Sequence, residues 1–224
     1  MGRPAIVTPV TGLVAGFLVG VVGVAALAGA GVPRREEPAA PTPRESPAAA
    51  DAFLAAWRRS RLGTWVVDSR FERRTAAGAH LTAEVHMAQR PPDRLVVGLG
   101  TVMGRRDGRR LVCHAGDSAV LTCRDGGTAP PYAAEVAEEL GNLRGYVGPV
   151  GFYAVAREAG GCFRLRLRAG VLSPPYGQLA RFCFDPGTGA PVRTEIERIE
   201  GVDRTVAVRV DPTPTSADLD PAGR

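Results

Sequence analysis

The 224-residue chain has no lysine: all 28 basic side chains are arginine, set against 23 acids for a formal charge of +5. We have no physical account of the missing lysine. There is also no run of like charges, so the basic balance gives little support to nucleic-acid binding, which needs bases gathered on one face. It leaves room only for a weak attraction to anionic lipid headgroups. Cysteine is scarce, and none precedes Cys113, which excludes an ordinary lipoprotein acylated near its N-terminus. The four cysteines include no C-x2-C pair, and this speaks against a structural zinc site. Gly100, Gly104 and the Arg105–Gly108 turn have no phosphate-loop spacing. No catalytic motif, metal site or cofactor signature survives, so the sequence reads as non-enzymatic.

What is present begins with grease. Thr11 to Ala30 carries no charge, and as a helix it spans roughly 30 Å, the thickness of a bilayer's hydrocarbon core. The expectation is a single transmembrane anchor within residues 1–32. Two A-x-A-like triplets, Ala26-Leu27-Ala28 and Ala28-Gly29-Ala30, resemble signal-peptidase sites. The apolar run exceeds the usual signal core of about 7–15 residues, which favours an uncleaved anchor. Gly12, Gly16 and Gly20 share one helix face, a spacing that permits self-association in lipid.

Arg3 before the run and Arg34-Arg35 after it leave the positive-inside rule undecided. The cysteines break the tie. They form two local pairs beside a membrane-targeting segment, which predicts the disulfides Cys113–Cys123 and Cys162–Cys183 in an oxidising compartment. The expected location is therefore the cell membrane, single-pass, with the N-terminus cytoplasmic and the C-terminal domain extracytoplasmic. Pro33 to Ala50 holds five prolines and no large apolar residue, so residues 33–50 read as an extended linker. One domain follows at 51–211, and the polar segment 212–224 reads as a disordered tail.

Within the domain, Asp51 is placed to cap a helix that runs to Leu62 with Phe53, Leu54 and Trp57 on one face, and Gly63 ends it. From Thr64 the apolar period becomes two. Strands are expected through Trp65–Glu72, Leu81–Met87, Leu95–Leu99, Arg109–His114, Ala119–Cys123, Cys162–Arg168, Gln178–Asp185, Val192–Glu200 and Arg204–Val210. Asp107-Gly108 is the strongest hairpin signal. A second helix is expected over Tyr132–Leu143, followed by a looser apolar stretch, Tyr146 to Ala156.

The fold class is thus α+β: a strongly curved antiparallel half-barrel sheet of about nine strands, covered by two helices and preceded by the transmembrane helix. Two short helices cover little of so many strands, so the concave side should be partly open. The inward set, and the expected lining of an apolar ligand site, is Trp65, Val67, Phe71, Val85, Met87, Leu95, Val97, Leu99, Phe163, Leu165 and Leu167. Periodicity does not separate a cavity from a filled core.

Other candidates for chemistry read as structure. His114, Asp117 and Ser118 lie in one tight turn, too close in sequence to face one another as a triad. Cys113 and His114 point to opposite strand faces. His86, two residues after Glu84, reads as half of a solvated cross-strand pair. Arg164, Arg166 and Arg168 read as a solvated outer face.

From Trp65 to Cys123 the order of elements resembles a known superfamily. A strand carrying Trp65 and Phe71 leads to one ending in Gln89-Arg90-Pro91; Arg94-Leu95-Val96-Val97 follows, then Asp107-Gly108-Arg109-Arg110-Leu111-Val112. This is similar to the LolA-type lipoprotein carriers and the mycobacterial lipid-binding lipoproteins LppX and LprG, of which the chain resembles a membrane-anchored, actinobacterial-type member. The resemblance implies an unclosed β-barrel with helices over its concave side, and non-catalytic binding of a lipid or other apolar ligand. It also implies an alternative, an envelope signalling or stress regulator that binds a partner protein, as the sigma-factor regulator RseB uses such a domain.

Overall fold

The computed structural model describes residues 44–115, 121–168, 171 and 173–221. The anchor, the Gly12/Gly16/Gly20 stripe, most of the linker and the turn at Gly116–Ser118 lie outside the described residues. Among the described residues no helix is long and apolar enough to cross a membrane. Thr42–Arg224 is a compact unit of its own, with its apolar clusters all internal to it.

The first helix, α1 (Pro47–Leu62), starts earlier than the sequence suggests. Ser46 is the cap, its hydroxyl accepting from Ala49 N at 3.1 Å, and Pro47 takes the first helical position, where no N–H is needed. Glu45 bridges to Ala156 and pairs with Arg166 at 2.7 Å. The last residues assigned to the linker therefore belong to the folded domain. The second helix, α2 (Tyr132–Val147), runs four residues beyond Leu143 and buries Val136, Leu143 and Val147.

Eleven strands replace the expected nine or so. They are β1 (Trp65–Thr75), β2 (His80–Arg90), β3 (Asp93–Gly98), β4 (Thr101–Arg106), β5 (Arg109–Ala115), β6 (Leu121–Thr128), β7 (Tyr153–Arg157), β8 (Cys162–Leu167), β9 (Leu179–Phe184), β10 (Pro191–Arg198) and β11 (Gly201–Asp211). The two additions have separate causes. Between β3 and β4 the chain turns on Leu99-Gly100, both at positive φ (53° and 71°). Leucine rarely adopts that conformation, so sequence reasoning runs Leu99 on as strand. In β7 four successive residues, Tyr153 to Ala156, are buried, and a strand buried on both faces shows no alternation. The expected turn at Asp107-Gly108 is present, with both residues at positive φ.

The strands form one antiparallel sheet in the order β6-β5-β4-β3-β2-β1-β11-β10-β9-β8-β7. The edge strands β6 and β7 do not pair with each other, so the sheet is an unclosed half-barrel. The helices lie over the β7–β9 end of the inner face. There Phe53 of α1 and Leu143 of α2 pack on Val155, Leu165 and Phe182 in the largest apolar cluster. Both disulfides form as paired from the sequence, Cys113–Cys123 and Cys162–Cys183, each across directly opposed strand positions.

The outer face is covered too, which alternation did not reveal. Val66 of β1 is fully buried beside Ala88, Leu95, Val102 and Cys113. Its cover comes from the segment expected to be a disordered tail. That segment contains a 3-10 turn, Ala217–Leu219, and Leu219, only 4% exposed, plugs the cluster. The Asp218 carboxylate accepts from the Thr215 amide and hydroxyl at 2.8 and 2.7 Å, and the Asp218 carbonyl meets His86 Nε2 at 2.9 Å. His86 Nδ1 lies 2.7 Å from Asp68 Oδ1. His86 is therefore a buried tie between the sheet and the C-terminal clasp, not a solvated pair. Leu219→Ala is expected to lower stability by about 2 kcal/mol, the low end for a buried leucine because a terminal segment relaxes readily. Urea denaturation measures it, and an unchanged midpoint would deny the clasp its structural role.

Candidate functional site

The inner face divides into three zones. Under the helices at β7–β9 it is filled. At the centre, between the C-terminal half of α1 and strands β1, β2, β9, β10 and β11, it encloses an apolar pocket of about 250 Å3. Beyond β3 it opens into a second hollow of about 530 Å3 floored by Val96, Met103 and Val112 and edged by Arg94, Arg105 and Arg110.

Of the sequence-selected lining, Trp65, Val85 and Met87 face the central pocket. Val67 is buried with Trp65 and Met87, and Phe71 lies on the same inner face. Phe163, Leu165 and Leu167 belong to the filled zone. Leu95, Val97 and Leu99 do not line the inner face. Leu95 pairs with Ala88 and Val97 with His86, which places both on the outer face, and Leu99 is the turn residue, 51% exposed. The phase is lost because β3 reads Leu95-Val96-Val97, apolar in both registers. Val96, passed over in the sequence, is the inward one. Trp57, Phe182 and Phe184 also line the pocket. Trp57 was legible as the apolar face of α1, but its approach to β9 was not.

A polar seam joins the two helices above this pocket. Arg61, with a side chain 5% exposed, reaches Glu135 at 3.0 Å and Glu139 at 2.7 Å on α2. Trp57 Nε1 donates to Glu139 at 2.8 Å, and Arg105 on β4 reaches Glu135 at 3.2 Å. The Tyr132 ring stands between the Arg61 and Arg105 guanidiniums, 5.5 Å from each. Burial raises the Tyr132 hydroxyl above its ordinary value, so it stays a donor. Gln89, wholly buried, sits beneath the seam. Its amide nitrogen donates to Ser60, Arg61 and Gly63 carbonyls at 2.7, 2.9 and 2.7 Å, which closes the C-terminal end of α1 where carbonyls lack helical partners.

Some arginines outside the seam are held in ion pairs. Arg166 pairs with Glu45, and Arg164 and Arg181 both reach Glu158, so two arginines of the expected solvated stripe are also ion-paired, while Arg168 donates to the Pro149 and Gly151 carbonyls. Among the described residues no group of three or more His, Cys, Asp or Glu side chains is set to hold a metal ion.

No family profile and no curated protein matches the sequence. Among solved structures the chain has distant likenesses. The chain is similar to LprF from Mycobacterium bovis at 10% identity over 80% of this chain and 98% of that one, with a TM-score of 0.37. It is similar to a LolA superfamily protein from Nitrosomonas europaea at 9% identity over 74% and 94%, TM-score 0.32. It is also similar to a chain of the Pseudomonas aeruginosa MucA/MucB complex at 16% identity over 77% of this chain, TM-score 0.45, and spans 60% of that chain. What this chain binds is read from its own site.

Proposed function

We propose that this protein is a membrane-anchored, extracytoplasmic, non-catalytic binder of a lipid or other apolar ligand. The observation that carries the reading is the central pocket, apolar and unfilled, between a packed zone under the helices and the open hollow beyond β3. The ligand contacts drawn from the sequence narrow to Trp65, Val85 and Met87, joined by Trp57, Phe182 and Phe184. Pockets that take small ligands are mostly apolar with a few placed polar groups, and here the polar seam supplies them. The anchor in residues 1–32 would hold the domain at the membrane, with the Gly12, Gly16 and Gly20 face available for self-association.

Native mass spectrometry of residues 42–224, purified from the exported protein without detergent, tests this. Co-purifying lipid, lost when Met87→Arg fills the pocket with charge, is the expected result. Reproducible absence of lipid would defeat the reading in favour of its competitor, a regulator that uses the same domain to bind a partner protein.

A further inference from the structure

The central pocket and the neighbouring hollow are both lined by one side chain, Arg94. Around it stand the guanidiniums of Arg61 and Arg105 and the carboxylates of Glu135 and Glu139. Both carboxylates are taken: Glu139 by Arg61 and Trp57, Glu135 by Arg61 and Arg105. Gln89, paired with Arg94 across β2 and β3, turns its oxygen to Arg61 and Tyr132 instead. Arg94 Nε is buried with no hydrogen-bond partner among the described residues. Burial, and then repulsion from Arg61, push the Arg94 guanidinium down to about 10, which leaves it charged at neutral pH. The side chain is half-buried, with its Nε fully so; a cation with a buried, unpaired donor is costly, and an incoming anion would relieve that cost.

We propose that the ligand is an amphiphile with an anionic headgroup, carboxylate or phosphate, whose chain enters the central pocket and whose charge is held by Arg94. This rests on the lipid-binding reading and narrows its ligand class. The guanidinium fork matches either oxyanion, and exposed Arg110 lies farther along the same hollow, where a headgroup would emerge. A neutral lipid would fill the pocket equally well but leave Arg94 unanswered.

The chain has two tryptophans, Trp57 and Trp65, and both line the pocket, so their emission reports occupancy. Residues 42–224 are titrated with dodecanoate, dodecyl phosphate and dodecanol below their critical micelle concentrations, and with inorganic phosphate. The two anionic amphiphiles are expected to bind at least tenfold more tightly than dodecanol, and inorganic phosphate to leave the emission unchanged. Arg94→Gln should bring the acids to the dodecanol level without weakening dodecanol, and should melt no lower than the parent, because it removes a buried unpaired donor on a half-buried cation. Arg94→Lys, the second variant, should keep a reduced preference for the acids. Equal binding of acid and alcohol by the parent overturns the proposal while lipid binding stands. So does a preference untouched by Arg94→Gln, or inorganic phosphate binding as tightly as dodecyl phosphate. Failure of every chain-bearing probe to bind defeats the lipid reading itself, and the proposal with it.

Discussion

Reducing both disulfides is expected to cost the domain about 6 kcal/mol, a large share of the usual total stability of about 5–15 kcal/mol and enough to unfold it at the lower end of that range. In the chain-entropy account, loops closed over separations of 10 and 21 residues contribute roughly 2.7 and 3.4 kcal/mol. The bonds sit where the sheet most needs them. Cys113–Cys123 fastens the edge strand β6, which has one neighbour, and Cys162–Cys183 fastens β8 to β9 beneath the largest apolar cluster. Urea denaturation with and without reductant reads the total. The Cys162→Ala/Cys183→Ala pair should lose more than Cys113→Ala/Cys123→Ala, in the order of loop length. A combined loss below 1 kcal/mol would show that the strands hold register without the bonds. Cys183 lines the central pocket, so the Cys162–Cys183 bond also shapes the ligand site, whereas neither Cys113 nor Cys123 lines it.

The disulfides were legible because cysteine spacing and strand phase agree. Cys162 alternates with Phe163 and Leu165 in a strand whose charged positions mark the outer face, and so does Cys183 among Phe182 and Phe184. Phase failed where that marker is missing. β3 is apolar at Leu95, Val96 and Val97, and the buried outer face needs two of the three. The sequence reading gave that face to solvent because nothing local announces that Leu219, more than a hundred residues on, will return to cover it. The same non-locality hid the site. Arg61, Arg94, Glu135 and Glu139 lie on three segments, α1, β3 and α2; each residue alone reads as an ordinary solvated charge, and only the docking of α2 on α1 brings them together. The pocket's apolar half was foreseeable from Trp65 and Met87. Its charged half depends on register, since Arg94 faces inward only because the turn before β3 pairs it with Gln89.

Gln89→Leu is expected to lower stability by about 3 kcal/mol, although it replaces a wholly buried residue with one of similar size that suits an apolar interior. The reason is the number of acceptors resting on one amide. Three carbonyls converge on the Gln89 nitrogen within 2.9 Å, and that convergence fixes the amide's orientation, because reversing it would set oxygen against oxygen. Two of the three have a second donor: Trp65 Nε1 reaches the Ser60 carbonyl at 3.0 Å, and the Tyr132 hydroxyl reaches that of Arg61. Gly63 has no other side-chain donor among the described residues, so its carbonyl bears the largest loss. An orphaned buried acceptor costs about 1–3 kcal/mol, and the weakened pair adds to it. The damage should be directional. Hydrogen exchange should quicken first in the last turn of α1, from Arg58 to Leu62, while β1 and β2 keep their protection, because their ladder is untouched. Since Arg61 and Tyr132 leave α1 for the seam with α2, loosening that turn also loosens the roof over the pocket. The variant should therefore bind the amphiphilic probes more weakly at temperatures well below its melting point. A loss under 1 kcal/mol, with α1 exchanging as in the parent, would show that the helix end is held by the Arg61 pairs with Glu135 and Glu139 instead.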